Sequence, residues 1–252
     1  MVQVAFTDRH GGVSPAPFDA LNLSAAADSA ERVENFTRVA HELGADQVAS
    51  MRQVHGRDVV VVRSVGDSSP ECDGLVTRTS GLALCVRVAD CVPVILADVD
   101  HGVVGVVHAG RAGIAANVVS ASVEAMRREG SRRLGAWIGP HVCGGCYEVP
   151  AQMRAMVSAS APVAFGCTTW GTPALDLGAA VRRQLLDLEC VVEDVSRCTL
   201  ETPDLYSHRR DGAESGRLGG FVVFTATDPS TAAACGNVPL TRTPDIAAER
   251  IG

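Results

Sequence analysis

The chain contains no lysine: its 22 basic residues are all arginines. That absence excludes a phosphate-binding loop that ends in lysine, and any reaction through a lysine Schiff base. Histidine is scarce too, with seven in 252 residues and none in a His-x-His pair. An oxidase with several copper centres would need many more ligands. The base-deaminase signature, His-x-Glu with a later Pro-Cys-x-x-Cys, is also missing. No uncharged apolar run of about 18 residues exists, and no basic segment leads into an apolar one at the N-terminus, so a cytoplasmic protein without a membrane partner is expected. The net charge of -7 leaves no basic face for nucleic acid. Nine cysteines, an odd number without an export signal, read as reduced thiols, most of them small core residues.

What is present is hydrophobic: 46% of residues are apolar and 20% charged, enough for a sizeable core in one large domain or two small ones. Two apolar runs organise the chain. Leu82 to Cys91 continues as Val92 to Asp98, and Gly102 to Val107 ends in His108-Ala109-Gly110. Both are rich in β-branched residues and short, so they read as buried strands. Strands that stop at Cys91 and His108 can place thiol and imidazole side by side. His55, in Gln53-Val54-His55-Gly56 just before the run Val59–Val62, is the third candidate.

In chain order, Val2 to Phe6 is a strand leading into Thr7-Asp8-Arg9-His10-Gly11-Gly12, a tight loop whose Arg9 and His10 are placed to face a ligand. Asn22-Leu23-Ser24 is another loop. A helix fits Ser29 to Leu43, capped by Asp28 or Ser29, with Val33, Phe36, Ala40 and Leu43 on its buried face and Gly44 ending it. Beyond Gly110 a single helix is expected from Ile114 to Glu129, its glycine-rich start aiming backbone N–H groups at an anion or thiolate. Ala136 to Ile138 is a strand, followed by a lone Cys143-x-x-Cys146 beside His141, read as an accidental pair, a redox pair or half a zinc site. Pro150 to Ser158 is helical. Thr172-Pro173 is expected to open another helix running to Leu186. Val191 to Val195 and Gly219 to Phe224 are strands. The composition from 225 to 252 predicts a poorly packed tail after a single domain spanning 1 to 224.

Zinc accepts two imidazoles and a thiolate while keeping a position open for water. His55, Cys91 and His108 suit that set, but their uneven separation matches no compact zinc motif. Residue reasoning stops at a metal site, a Cys/His nucleophilic pair, or unrelated strand-end residues.

A family resemblance goes further. Thr7 to Ser14, Asn22-Leu23, Gln53-Val54-His55-Gly56, Asp73-Gly74-Leu75-Val76-Thr77, Ala89-Asp90-Cys91-Val92-Pro93-Val94, His108-Ala109-Gly110, Ile138-Gly139-Pro140, Cys146-Tyr147-Glu148-Val149 and Ser207-His208-Arg209-Arg210-Asp211 together resemble the laccase-domain family, from about Phe6 to Phe224. Its members have been called multicopper polyphenol oxidases and purine nucleoside phosphorylases. The resemblance implies one α/β (α+β) domain of layered mixed β-sheets flanked by helices, similar to toxin-type cysteine deamidases. It implies zinc, with copper as the alternative, held by His55, Cys91 and His108. It implies phosphorolysis of adenosine, inosine and methylthioadenosine, so the partners are a purine nucleoside and phosphate, with adenosine deamination besides. Arg9, Asn22, Arg209 and Arg210 are the expected substrate or phosphate contacts. One departure stands out: the family usually continues His-Ala-Gly-Trp-Arg-Gly, whereas here Arg111-Ala112-Gly113 follows Gly110, replacing a tryptophan and bringing the arginine one position forward. A cysteine hydrolase using Cys91 and His108, a copper-dependent phenol oxidase and a non-catalytic relic are the competing readings.

Overall fold

Every residue of Leu82–Val88, Val92–Asp98 and Val103–Ala109 is buried, and the reason is that both faces of these strands are covered. The computed structural model describes residues 1–24, 30–66 and 68–226, together with the backbone of 246–251. The elements run β1 (Val2–Thr7), α1 (Ala30–Glu42), β2 (Gln47–Ser50), β3 (Val59–Val61), β4 (Gly74–Thr77), β5 (Leu82–Val88), β6 (Val92–Asp98) and β7 (Val103–Ala109). They continue with α2 (Arg111–Ala115), α3 (Val118–Arg128), β8 (Gly135–Ile138), α4 (Ala151–Ser160), β9 (Phe165–Cys167), β10 (Pro173–Leu175), α5 (Leu177–Asp187), β11 (Val191–Asp194), α6 (His208–Asp211), β12 (Leu218–Phe224) and β13 (Ile246–Ile251).

The strands form a five-stranded sheet, β13-β1-β12-β5-β2, and a six-stranded sheet, β11-β8-β6-β7-β4-β3, with β9 and β10 as a separate pair. Both large sheets are mixed: β2 runs parallel to β5 and β8 parallel to β11, while β6 and β7 are antiparallel. Side-chain alternation sorts the core into three layers. Val4, Leu84, Val86, Ile95, Val104 and Val106 pack between the sheets. Val92, Val94, Leu96 and Val107 face α3 and α5 through Val119, Val123, Val181 and Leu185. Ala83, Cys85, Phe221 and Val223 face α1 through Val39 and, just past its end, Leu43. The result is a single mixed α+β domain of layered sheets with few helices. Among the described residues no helix is long and apolar enough to cross a membrane.

Several local expectations need correcting. The buried face of α1 carries Asn35 and Val39, while Val33 is exposed; its expected caps lie outside the described residues. Asn35 tolerates burial because every polar atom is bonded: Val13 N–H donates to Oδ1 at 2.9 Å, and Nδ2 donates to Ser14 Oγ at 2.9 Å and to Asn22 O at 3.0 Å. The helix after Gly110 is two helices, α2 and α3, because Asn117 takes a left-handed conformation at φ 63°. Pro173 opens a strand, β10, and α5 starts only after it, where Asp176 accepts a bond from Ala179 N–H at 2.8 Å. Residues 227–245 and 252 of the expected tail lie outside the described residues, whereas Ile246–Ile251 pairs antiparallel with β1.

Candidate functional site

Cys91 sits where the chain passes from one sheet to the other. Strand β5 belongs to the five-stranded sheet and β6 to the six-stranded one, and three residues, 89 to 91, make the crossing. Asp90 adopts φ 89°, a conformation costly for a non-glycine residue and tolerated where surrounding bonds over-determine it. Those bonds are present. Thr199 Oγ1 donates to Asp90 Oδ1 at 2.7 Å, Arg209 N–H donates to Oδ2 at 2.6 Å, and Val142 N–H donates to the Asp90 carbonyl at 3.1 Å. One buried aspartate therefore ties two loops and the start of α6 to the turn that presents the thiol.

His108 comes from β7, directly opposite Pro93 of β6, so thiol and imidazole meet at the shared end of two adjacent strands. His55 arrives on the loop before β3, itself at φ 59°. A single carboxylate, Asp73, holds both histidines. It accepts from His55 N–H at 3.0 Å, from Gly56 N–H at 2.6 Å, and from His108 Nδ1 at 2.7 Å. That last bond fixes the His108 tautomer and leaves Nε2 for another partner. The two rings stand edge to face with centroids 4.7 Å apart, and Cys91 Sγ lies 3.9 Å from His55 Nε2. The ligand atoms of His55, Cys91 and His108 all lie within 4.8 Å of one another. Gly110 closes the cluster: a Cβ there would sit 2.8 Å from the His55 ring and 3.3 Å from Cys91 Sγ.

Electrostatics follow from this geometry. Burial pushes the Cys91 thiol up, but bonds from His108 and His55 outweigh it and bring it down to about 6. Burial pulls His108 down, but Asp73 and Cys91 outweigh that and lift it to about 9. Asp73 stays ionised below the usual carboxylate range: burial opposes this, and the His108 and Gly56 bonds prevail. Two imidazoles and a thiolate, one histidine backed by a buried carboxylate, form a donor set able to hold a metal ion with a position to spare.

The four expected substrate contacts fare differently. Arg209 stacks its guanidinium 4.7 Å from the Tyr147 ring centroid, on the same side of the molecule as Cys91, whose charge Tyr147 senses. Arg9 donates to the carbonyls of Phe18 and Pro17, and Arg210 to those of Leu205 and Thr199 and to Asp211. Both line a groove of about 410 Å³ with Phe18 and Tyr206, away from the three ligand atoms. Asn22 accepts from Ser24 N–H and Arg217 N–H and borders a neighbouring groove of about 510 Å³. The guanidinium nitrogens of Arg9 and Arg210 and the side-chain oxygen of Asn22 are thus engaged by neighbouring loop residues. Sequence reasoning missed Asp73 and Asp90 as organisers, although both lie inside quoted motifs. It also passed over Tyr147, which lies beside the charges of Arg209 and of Arg111, the arginine of the family departure. His141, expected beside the cysteine pair, instead donates Nδ1–H to Gly139 O at 2.8 Å and packs on Gly178.

Known proteins resemble this chain along most of its length. A family described as multi-copper polyphenol oxidoreductase laccase matches residues 3–225. A Streptomyces griseus protein named purine nucleoside phosphorylase is 50% identical over 228 residues, covering 86% of this chain and 92% of its own. A Mycobacterium bovis protein of the same name is 44% identical over 224 residues, covering 86% and 89%. The crystal structure of YlmD from Geobacillus stearothermophilus superposes with a TM-score of 0.78 at 30% identity, covering 89% of this chain and 92% of that one. Matching along nearly all of the described residues, the chain belongs to the multi-copper polyphenol oxidoreductase laccase family.

Proposed function

We propose that this chain is a purine nucleoside phosphorylase that takes adenosine, inosine and methylthioadenosine with phosphate, and that it deaminates adenosine as an accessory activity with zinc held by His55, Cys91 and His108. The observation that carries the reading is the convergence of those three side chains on one another, with Asp73 behind His108, next to a tyrosine flanked by two arginines. The naming of the Streptomyces griseus and Mycobacterium bovis relatives supports it.

Phosphorolysis breaks the bond between ribose C1′ and the purine nitrogen, forms a bond from C1′ to a phosphate oxygen, and leaves the departing purine in need of a proton. Arg209 and Arg111 are the cations available to neutralise phosphate beside Tyr147. Tyr147 keeps its proton to higher pH than usual, through burial and the Cys91 charge, and so can donate a hydrogen bond to the sugar or base. Asp73 orients His108 and His55 together, so that one buried carboxylate fixes the relative placement of the two imidazoles. When bound, the ion supplies Lewis acidity toward water or a purine substituent, which is what deamination at the six-position requires.

The test is direct. Zinc-loaded protein incubated with adenosine and phosphate should yield adenine and ribose 1-phosphate, and Cys91→Ser should abolish the yield. A folded, metal-loaded chain that releases no purine base refutes the reading. One observation favours a second reading, a cysteine hydrolase: Cys91, His108 and Asp73 are linked as nucleophile, base and orienting acid, with the thiol brought down to about 6. That reading requires amide cleavage that survives zinc removal and stops when a thiol-selective reagent traps Cys91.

A further inference from the structure

Across the Asp90 turn from the first cluster lies a second group of metal-ligand side chains. We propose that Cys143, Cys146, Cys198 and Glu201 form a structural site for a thiophilic divalent cation, zinc foremost, which clamps the 141–149 loop to the 197–202 loop. Their four ligand atoms all lie within 4.8 Å of one another. A tetrahedron with Zn–S arms of ~2.3 Å has edges of about 3.8 Å, so an ion needs the donors to close by no more than about 1 Å.

The backbone around them is already arranged for thiolates. Cys146 N–H and Tyr147 N–H both donate to Cys143 O at 3.0 Å, folding Cys143-Gly144-Gly145-Cys146 into a turn that brings its two sulfurs together. Cys143 N–H points at Cys198 Sγ, 3.4 Å away, the kind of amide support that metal-bound sulfur receives. His141 and Cys198 form a bridge, with His141 N–H on Arg197 O at 3.2 Å and Thr199 N–H on His141 O at 3.0 Å, so the second loop is held in register with the first. Gly144 has no room for a side chain, since a Cβ there would sit 2.7 Å from Asp176 at the start of α5. Three soft thiolates and one carboxylate complete a closed tetrahedral set, which is the form of a structural rather than a catalytic site. The three cysteines form no disulfide, so their thiols are available as ligands. Binding would release thiol protons and join two loops that both bond to Asp90, through Val142 and Thr199.

The experiment uses the full chain with His55→Ala and Cys91→Ser together, which removes the first cluster and keeps this proposal separate from the activity reading. Purified under reducing conditions from zinc-supplemented cells and dialysed, this variant should retain a single zinc per chain by elemental analysis. Cobalt substituted for that zinc should show a thiolate-to-metal absorption band of three-sulfur intensity. Adding Cys146→Ser should remove both signals. The exposed Glu201→Gln change should keep the fold and weaken zinc binding by about 10-fold or more, since losing a ligand costs at least as much as losing the support behind one. A variant with native circular dichroism that holds no zinc and gives no cobalt–thiolate band overturns the proposal, as does a Cys143–Cys146 disulfide found in the protein isolated from the cell.

Discussion

Asp73 is the residue on which the candidate site turns. It is fully buried, yet it accepts bonds from the backbone of one ligand loop and the imidazole of another. A buried carboxylate survives only with such partners, and removing it leaves the partners unsatisfied as well. Cys91 shows what the arrangement does electrostatically. In metal-free protein its alkylation rate should rise with pH through a midpoint of about 6, where an ordinary thiol would titrate near about 8.5. Asp73→Asn should move that midpoint upward by weakening the His108 cation, and bound metal should suppress alkylation at every pH. A midpoint in the ordinary thiol range would contradict the electrostatic account. At this scale the sequence was informative about side chains that end buried strands, His108 and Cys91, and silent about what each arginine grips. Nothing in the motif around Arg9 or Arg210 distinguishes a guanidinium that grips carbonyls from one that faces a ligand.

At the scale of elements, loops rather than strands do the positioning. The 9–24 loop is held to α1 by Asn35, whose bonds to Val13, Ser14 and Asn22 make it a polar core residue. Asn35→Ala should cost about 1–3 kcal/mol for each group left unsatisfied, read as a lower denaturation midpoint in urea. An unchanged midpoint would mean that water replaces the side chain. The helix pattern alone could not reveal this, because an asparagine on an apolar face reads as a surface residue until its loop partners are known. Asn117 and Pro173 misled for related reasons. A left-handed asparagine splits α2 from α3, and a proline suited to a helix start instead begins β10. Cys198 and Glu201 left no trace near the Cys143-x-x-Cys146 loop, since tertiary contacts such as the Asp90 turn and the His141 bridge bring the two segments together.

For the molecule as a whole, the layered core was legible because runs such as Val92–Asp98 and Val103–Ala109 are apolar on both faces. The meeting of the two sheets at residues 89 to 91 was not, since it depends on pairings between distant strands. Global stability should also carry an acid signature. Asp98 is buried and accepts from Arg132 N–H, Arg133 N–H and Ser131 Oγ, which together with His101 hold it far below the usual carboxylate range against the cost of burial. A depressed carboxylate stabilises the fold above its unfolded pKa of about 4 and loses that contribution as pH falls toward the folded value. The thermal midpoint should therefore decline below about pH 4, and Asp98→Asn should start lower and decline less. A parallel decline in both proteins would remove Asp98 from the explanation.

The central claim is that His55, Cys91 and His108 grip one ion. Diffraction from crystals of the purified chain, recorded on both sides of the zinc absorption edge, tests it without reference to activity. The account predicts an anomalous peak bounded by Cys91 Sγ and the Nε2 atoms of His55 and His108, with Asp73 still on His108 Nδ1. Zinc-grown crystals with no peak between those atoms, and the two rings turned apart, would contradict it.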